Sequence, residues 1–406
     1  MENEKIVNKI SEYSVNIAGG KVESLRIMED MKTVVRVYDG GNVGIAGRIG
    51  EGDDAALEAE AKEKLAQKIS YPCNLPEGKK RQEKAAKTVI PAKDFVRTVK
   101  KLISRLNAAY PDFIFSNKIN MTEYGSNYSN SRKSEYGYTG SALDIMLVIK
   151  AKNSANIMDL DYGASRNFYD EDKIVEDIGK LLDAYNKQVE MPEDVPVIIS
   201  YAIMQYALPE LFAEKYMSGS SLFNGMLGEK KFDVKVNIYT DRAPDNENCI
   251  PFFDSEGTVS EGDRFYFVKD GVISGLATYK RSAENFNLPL SGGAYAEFDG
   301  VPMTSFQGVK VGFVGGELKD IVKGKAIYVA CNSGGDMTPD GNLGIPVQLA
   351  YLYEDGKLLG KLPEFTLSAN IFDVLGKDFK GCALNDVFSY SKENVLITKF
   401  KINKAN

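Results

Sequence analysis

The sequence has no histidine among its 406 residues. Histidine is the side chain whose unperturbed pKa lies closest to neutrality, and it is the commonest protein ligand for metal ions. Its absence excludes Ser-His-Asp and Cys-His catalysis, zinc sites built on imidazole groups, and haem held by a proximal histidine. Any activity must therefore depend on carboxylates, lysine, tyrosine, thiols or the residues of a partner.

Long apolar runs and an excess of basic charge are also missing. No stretch approaches the roughly 20 apolar residues that span a bilayer, and residues 1–6 lack the features of a secretory signal. We therefore expect a cytoplasmic protein with no membrane partner. The formal charge of −7 predicts no nucleic-acid partner, because binding to phosphates generally needs a broad basic surface.

Cysteines are few and widely spaced. Cys73, Cys249, Cys331 and Cys382 form no close pair, which argues against a disulfide framework and against a zinc ribbon. The spacing favours buried free thiols. The residues themselves give no reason to expect a cofactor.

The length of the chain predicts two domains, because it exceeds what one hydrophobic core usually serves. The best boundary lies at residues 191–196, where two prolines separate a helical pattern from the apolar strand 197–200. The prediction is an α+β fold, with an N-terminal helix-and-hairpin domain over residues 1–190 and a strand-rich C-terminal domain over residues 191–406.

The first half shows alternating apolar residues, helical spacing and turn signals. The predicted elements are a hairpin around Asp39-Gly40-Gly41, a helix capped by Asp53 or Asp54, helices over 94–110 and 171–189, and a loop over 71–90. Residues 117–140 are rich in Ser, Asn, Tyr and Gly. They fit either a flexible loop or polar strands that border a cleft.

The second half is dominated by strand and hairpin patterns. Residues 232–239 alternate between apolar and polar side chains, as a half-buried strand does. Asp270-Gly271 and Asp355-Gly356 are typical of tight hairpin turns. Further strands are expected near 326–331 and 395–402, and a helix is expected to begin at Pro209.

Two short patterns could carry chemistry. Asp254 and Glu256 project to one face of an extended chain and could share a cation or a proton, although a polar turn explains them more simply. Ser389 and Lys392 have the S-x-x-K spacing in which a lysine activates a serine, but the companion motifs of that chemistry are missing. Chance is the favoured explanation for this second pattern.

A series of segments resembles the TldD/PmbA family, whose older label is modulator of DNA gyrase. The segments are residues 220–230, 253–257 and 270–276, together with 127–131 and the hairpin at 356–357 followed by 368–370. Their order and spacing resemble those of the family, and the resemblance covers nearly the whole chain. It implies a role in proteolysis or peptide maturation.

The resemblance also implies which residues to examine. In the family, the TldD subunit carries zinc on a helix with an HExxxH motif, whereas TldE/PmbA relatives lack that motif. Glu210 and Glu214 lie where the motif would be sought, and Cys382 lies near the position of a thiolate ligand in the zinc subunit. One thiol and two carboxylates make a poor zinc site, so we predict no metal and no catalytic residue, with these three residues as candidates for lining a cleft.

Three hypotheses about function remain open. The first is a metal-free, TldE/PmbA-like subunit that forms a heterodimer with a zinc-bearing TldD-like homologue and acts on unfolded peptides. The second is a hydrolase without histidine, which would use Ser389 and Lys392 or the carboxylates of Asp254 and Glu256. The third is a homodimeric peptide-binding protein whose sheet edge accepts an extended segment.

Overall fold

Long antiparallel strands dominate the first half of the chain. The computed structural model describes residues 1–84, 88–243, 250–312 and 316–404. The strands of the N-terminal sheet are β1 (Glu2–Ala18), β2 (Lys21–Asp39), β3 (Asn42–Ile49), β4 (Ile69–Ser70), β5 (Lys80–Lys84), β6 (Phe113–Asn130), β7 (Glu135–Ala151) and β8 (Leu160–Arg166). They lie in the order β4-β3-β2-β1-β6-β7-β5, and β8 also pairs with β7.

The predicted N-terminal hairpin and helices are confirmed, except that the helix predicted over 171–189 ends at Tyr185. β2 and β3 meet at Gly40 and Gly41, whose positive φ angles of 54° and 75° form the tight turn. Asp53 caps the first helix by accepting the backbone N–H of Ala55 at 2.9 Å. The helices of this half are α1 (Asp54–Glu63), α2 (Ala92–Ala109) and α3 (Glu171–Tyr185).

The inner face of the N-terminal sheet packs against α2 and α3. Apolar residues of α2 recur at helical spacing, and Phe95, Leu102 and Leu106 are all buried. They meet strand residues such as Ile119 and Leu147 in one hydrophobic cluster. The outer face of the same region is polar, so the sheet follows the usual alternation of a sheet with one buried face.

The second half contains many short strands. They are β9 (Val197–Ser200), β10 (Ile238–Asp241), β11 (Arg264–Lys269), β12 (Val272–Ile273), β13 (Ala294–Tyr295), β14 (Met303–Thr304), β15 (Val309–Val311), β16 (Lys325–Asn332), β17 (Asp336–Met337), β18 (Asn342–Glu354), β19 (Lys357–Lys361), β20 (Phe365–Asn370), β21 (Gly381–Leu384), β22 (Asn394–Thr398) and β23 (Lys401–Lys404). The helices are α4 (Ala213–Met217), α5 (Lys280–Phe286), α6 (Leu318–Ile321) and α7 (Ile371–Val374). With 20% helix and 43% strand, the protein has the predicted α+β fold.

The C-terminal strands form separate sheets. The sheet with the most strands has the order β21-β22-β9-β16-β18-β20-β23, with β17 and β19 also paired to β18. A second sheet has the order β12-β11-β10-β15, and β13 pairs with β14. The predicted hairpins at Asp270-Gly271 and Asp355-Gly356 are confirmed, and both aspartates adopt positive φ angles.

Several local predictions were wrong or are now decided. Residues 232–239 do not form one strand, because the Asp233 side chain accepts the N–H of Lys235 and turns the chain before β10 begins. β5 lies within the predicted loop 71–90, where it pairs with β7 in parallel. Residues 117–140 form strands β6 and β7 with the turn between them, so the flexible loop is excluded.

The helix expected at Pro209 is short and interrupted. A 3₁₀ turn covers Leu208–Leu211, and α4 begins only after Phe212, whose backbone is extended. The N–H of Ala277 donates to the carbonyl of Leu211, and the N–H of Ala213 donates to the carbonyl of Ala277. This bridge to a neighbouring strand-like segment breaks the helix at Phe212.

The described cysteines are free thiols. Cys382 is buried as expected, whereas Cys73 and Cys331 are partly exposed. Cys249 lies outside the described residues. No helix in the described ranges is long and apolar enough to cross a membrane.

The described sheets keep to one side of residues 190–196 or the other. The N-terminal sheet uses strands up to Arg166, and the other sheets begin at Val197. The hydrophobic cluster under α2 and α3 nevertheless includes Leu318, Tyr351 and Ile397 from the second half. The division into domains of residues 1–190 and 191–406 stays a prediction, which limited proteolysis can test.

Candidate functional site

Glu210 lies in the 3₁₀ turn before α4, where the residues of a zinc helix were sought. Its side chain is buried, and Lys215 Nζ lies 2.5 Å from one carboxylate oxygen. The other oxygen accepts the backbone N–H of Leu222 at 2.8 Å, and the Ser221 hydroxyl donates to the Glu210 carbonyl at 2.6 Å. Glu210 thus fastens the 220–230 segment to the turn, and both carboxylate oxygens are engaged by protein donors.

Glu214 lies one turn further along, on α4, and has a different environment. Both of its carboxylate oxygens are 3.1 Å from the Thr304 hydroxyl. The residue also lines a cavity of about 750 Å³ whose wall includes Tyr71, Tyr279 and Arg281. Of the three predicted cleft residues, Glu214 is the one that lines this cavity.

Cys382 lies on β21 inside the C-terminal core. Its thiol donates to the carbonyl of Val311 at 3.1 Å, and burial raises the pKa of the thiol to about 12. Zinc binds the thiolate form, which this environment disfavours. The side chain also packs directly against Gly312, where an added Cβ would lie 2.1 Å from the Cys382 Cβ atom.

These residues do not fit the zinc ion of the HExxxH subunits. Glu210 is paired with Lys215, the Cys382 thiol is buried and protonated, and the sequence supplies no imidazole. Within the described ranges, no group of three or more Cys, Asp or Glu residues is placed to hold a metal ion. We therefore derive no chemical step through a metal from this chain. That these three residues line a functional cleft stays a prediction.

The carboxylates of Asp254 and Glu256 have separate hydrogen-bond donors. The Asp254 carboxylate accepts the backbone N–H groups of Glu256 and Thr258, each at 2.9 Å, and that of Ala294 at 3.0 Å. The side chain therefore organises its own turn, as the simpler interpretation expected. Glu256 accepts the Tyr71 hydroxyl and, at 2.9 Å, the N–H of Lys280.

Glu256 belongs to a buried ionic cluster that the sequence did not reveal. We define the ionic cluster as Glu4, Arg36, Glu256 and Lys280. Arg36 donates to Glu4 at 2.9 Å and to the Ser255 carbonyl at 2.6 Å, while Lys280 Nζ lies 3.7 Å from Glu4 and 2.8 Å from the Glu256 carbonyl. The four residues are at most 3% exposed. They join β1 and β2 to the 254–256 turn and to α5.

The two carboxylates of the ionic cluster have opposite pKa shifts. Burial alone would raise the pKa of Glu4, but the charges of Lys280 and Arg36 outweigh it and hold that pKa below its usual value. Burial, reinforced by the charge of Asp254, raises the pKa of Glu256 to about 7. Because solvent does not reach the cluster, its evident role is to fasten the two halves of the chain rather than to meet a substrate.

One sequence signal could have indicated the ionic cluster. Arg36 interrupts the apolar run Val34-Val35-Arg36-Val37-Tyr38, and a charge in such a run must find a buried partner. One hydrogen-bond partner of Arg36, the Ser255 carbonyl, is 219 residues away, so the sequence signal indicates that a buried partner is needed but does not identify it.

Ser389 and Lys392 do not form a catalytic pair in the described structure. The Ser389 hydroxyl donates to Glu176 at 3.4 Å, and no hydrogen bond joins it to Lys392. The surrounding segment is held by the buried Asp177 carboxylate, which accepts the backbone N–H groups of Ser389, Tyr390 and Ser391 at 2.5, 2.9 and 2.9 Å. These contacts give the segment a structural role as a turn held by Asp177.

A second cavity, of about 760 Å³, lies between the two halves of the chain. Its walls come from β7 and β8 on one side and from the ends of β9, β16 and β22 on the other. This volume is typical of ligand-binding cavities. Sequence reasoning missed it because its walls are far apart in the chain.

The comparisons with known proteins agree in family and fold. Residues 192–403, just over half of the chain, match the family description "PmbA/TldA metallopeptidase C-terminal domain", and residues 6–68 match "PmbA/TldA metallopeptidase domain 1". No curated protein sequence matches the chain.

Solved structures with the same fold cover the whole chain. The structure of TldE from Thermococcus kodakarensis is 17% identical, with a TM-score of 0.80, and is itself covered over 97% of its length. Two structures named as a "putative modulator" of DNA gyrase also match, one from Thermotoga maritima with 15% identity, a TM-score of 0.74 and 96% coverage. The other, from Bacteroides thetaiotaomicron, has 13% identity, a TM-score of 0.75 and 95% coverage. The match over residues 192–403 shows that the chain belongs to the PmbA/TldD family.

Proposed function

We propose that this chain is a metal-free, TldE/PmbA-like subunit that pairs with a zinc-bearing TldD-like homologue and takes part in the processing of unfolded peptides. One observation carries the proposal most directly. The carboxylate of Glu210, at the position where the zinc helix was sought, is bound by Lys215 and by the backbone of Leu222. The chain uses this position to fasten its own 220–230 segment.

The chemistry available to the chain alone supports the same assignment. A hydrolase without histidine would need a serine and a lysine in contact, but the Ser389 hydroxyl is directed to Glu176. The Asp254 and Glu256 carboxylates are engaged in the turn and in the ionic cluster. In the proposed complex, the partner supplies the Lewis acid and the base, and this chain contributes binding surface and assembly.

Reconstitution tests the proposal. The chain, purified without a histidine tag, is assayed for zinc and for cleavage of an unfolded peptide, alone and mixed with a TldD-like homologue. We expect no stoichiometric zinc in the isolated chain, no turnover by the chain alone, and a complex that cleaves the peptide. One zinc per chain that is lost in Glu214→Ala or Cys382→Ser would contradict the metal-free assignment.

Matched variants separate the subunit role from an independent hydrolase. Ser389→Ala is expected to leave the turnover of the complex within about twofold, because the Ser389 hydroxyl is directed to Glu176. Turnover by the isolated chain that disappears in Ser389→Ala or Lys392→Ala would establish the hydrolase instead. Peptide binding by a homodimer, with no complex formed and no cleavage, would establish the homodimeric binding protein.

A further inference from the structure

β8 has a neighbouring strand on one side only. It pairs with β7 along its full length, from Arg166 opposite Leu143 to Leu160 opposite Ile149. No other strand of the described residues pairs with it. Alternate backbone N–H and C=O groups along its second edge therefore have no strand partner. Such an edge can accept an extended chain, which adds as one more strand through main-chain hydrogen bonds.

The 760 Å³ cavity lies along this strand. Residues 161–166 all line the cavity, where Asp161, Gly163 and Ser165 are exposed and Tyr162 is largely buried. A Cβ atom added at Gly163 would meet nothing within 4 Å, so the space over this face of the strand is open at Gly163. The seven residues of β8 span roughly 20 Å, which is enough for several residues of an extended peptide.

The end of the cavity near Arg166 has a fixed wall. The Arg166 guanidinium donates to the Tyr390 carbonyl at 2.8 Å and to the Lys392 carbonyl. Asp177 holds the same segment through three backbone N–H groups. The wall opposite β8 is thus anchored to the core and is preorganised to border a ligand.

The other end of the cavity carries the Asp161 carboxylate. No salt bridge joins Asp161 to another described residue, and the Cys331 thiol opposes the rise in its pKa only in part. The surrounding protein raises the pKa of Asp161, although the residue is open to solvent within the cavity. A basic side chain placed beside Asp161 would replace the missing positive charge.

We propose that an extended, unfolded peptide binds in this cavity, pairs with the free edge of β8 through main-chain hydrogen bonds, and places a basic side chain beside Asp161. The inference depends on the peptide-processing role proposed above. It assigns the binding edge to the N-terminal sheet, on elements other than those that carry Glu210, Glu214 and Cys382.

Binding of labelled peptides to the isolated chain tests the main-chain pairing. The probes are a short unstructured peptide with one central lysine and two versions of it that are N-methylated at alternate residues, in the two possible alternations. N-methylation removes hydrogen-bond donors without changing the side chains. We expect one alternation to weaken binding at least about tenfold and the other to have a smaller effect. Two N-methylated probes that both bind within twofold of the parent would overturn the pairing.

Protein variants test the location and the charge. Ser165→Phe fills the cavity beside β8, and Ser24→Phe makes the same substitution at an exposed residue of β2 that does not line the cavity. We expect at least a tenfold loss of affinity in the first variant and none in the second. Equal affinities in the two variants would overturn the location.

Asp161→Asn is compared with the parent chain on two probes that differ in lysine or norleucine at the centre. We expect the parent to prefer lysine and the variant to lose that preference. A preference that is absent in the parent, or unchanged in the variant, would overturn the role of Asp161.

The outcomes also separate this inference from the proposed function. Peptide binding that neither Ser165→Phe nor N-methylation weakens, together with cleavage by the reconstituted complex, would exclude this binding site and keep the subunit role. No measurable peptide binding by the isolated chain would overturn the site. Binding at β8 without any complex or cleavage would keep the site and remove the subunit role.

Discussion

The N-terminal sheet buries its two ends in different ways, although the same strands run through both. At one end, β1 and β6 contribute Val15 and Phe115 to an aliphatic and aromatic cluster beneath α2 and α3. At the other end, β1 carries Glu4 and β6 carries Tyr128, whose hydroxyl donates to Glu4 at 2.9 Å. One sheet thus has an apolar end and an ionic end.

The difference lies in how specific the partners must be. Apolar packing is non-directional, so neighbouring side chains of similar volume can replace one another. Buried charges must first lose their hydration, and they remain acceptable only while each one keeps its partner. We therefore expect the ionic end to be sensitive to single substitutions that the apolar end tolerates.

Arg36→Leu is expected to have the largest effect. It removes the cation that donates to Glu4 and to the Ser255 carbonyl, and it leaves a buried carboxylate with one fewer positive neighbour. Breaking a buried ion pair in this way typically costs about 3–5 kcal/mol of the free energy of unfolding. Chemical denaturation, followed by fluorescence of the tyrosines, measures the change.

The double variant Glu4→Leu/Arg36→Leu is the control for that interpretation. It removes both charges, so it should be more stable than the sum of the two single changes would give. Strict additivity of the three measured changes would show that loss of packing, and not an unpaired charge, explains the effect of Arg36→Leu.

Glu256 should make stability depend on pH near neutrality, which is unusual in a chain without histidine. Its pKa is raised to about 7 in the folded state from an ordinary value of 4.5, so the folded chain binds the proton more tightly than the unfolded chain. This group stabilises the fold at low pH, and its contribution declines as the pH rises from about 4.5 to about 7, by at most about 1.4 kcal/mol per pH unit.

Glu256→Gln is expected to flatten the pH dependence in that window. Glu4 does not obscure the result, because its lowered pKa places its titration below the window. Desolvation by the surrounding protein also raises the pKa values of Asp161 and Glu393, so some slope should remain. The unfolding midpoints of both proteins are measured between pH 4.5 and 7.5. Equal slopes of the midpoint against pH in the two proteins would contradict the assignment.

The apolar end was largely predictable from the sequence. The helical spacing of residues such as Phe95 and Leu102 indicated α2, and Asp53 indicated the start of α1. These signals are local, because a helix or a hairpin is specified by residues within a few turns of one another. The α+β fold followed from such elements, and the family resemblance followed from ordered short segments.

The ionic end and the candidate binding sites were not predictable in the same way. The Glu4 and Arg36 pair joins two strands, but Glu256 and Lys280 come from the other half of the chain. Asp254 and Glu256 lie close together in the sequence, but the structure gives them separate partners. Likewise, no local pattern indicates that β8 would lie beside the ends of β9 and β22. Contacts between distant segments depend on the tertiary fold.

Leu106→Met sharpens the comparison from the apolar side. Leu106 is fully buried between α2 and the sheet, and methionine has a similar volume with a more flexible side chain. Such a substitution usually costs less than about 1.5 kcal/mol, clearly less than the loss expected for Arg36→Leu. Chemical denaturation of both variants under the same conditions gives the ratio of their losses in the free energy of unfolding. Equal losses would mean that the two ends do not differ in tolerance.

Lys5→Ala should have the smallest effect, and it tests whether burial rather than charge makes the ionic end sensitive. Lys5 lies next to Glu4 on β1, and its side chain pairs with Asp54 of α1 at 2.8 Å, but both partners are more than one third exposed. Water and dissolved salt screen such a pair, so we expect a loss of less than about 1 kcal/mol that shrinks further at high ionic strength. A loss as large as that of Arg36→Leu, or one that salt leaves unchanged, would show that an exposed pair stabilises this sheet as much as a buried one does. The contrast between neighbouring residues of one strand would then need a cause other than solvent exposure.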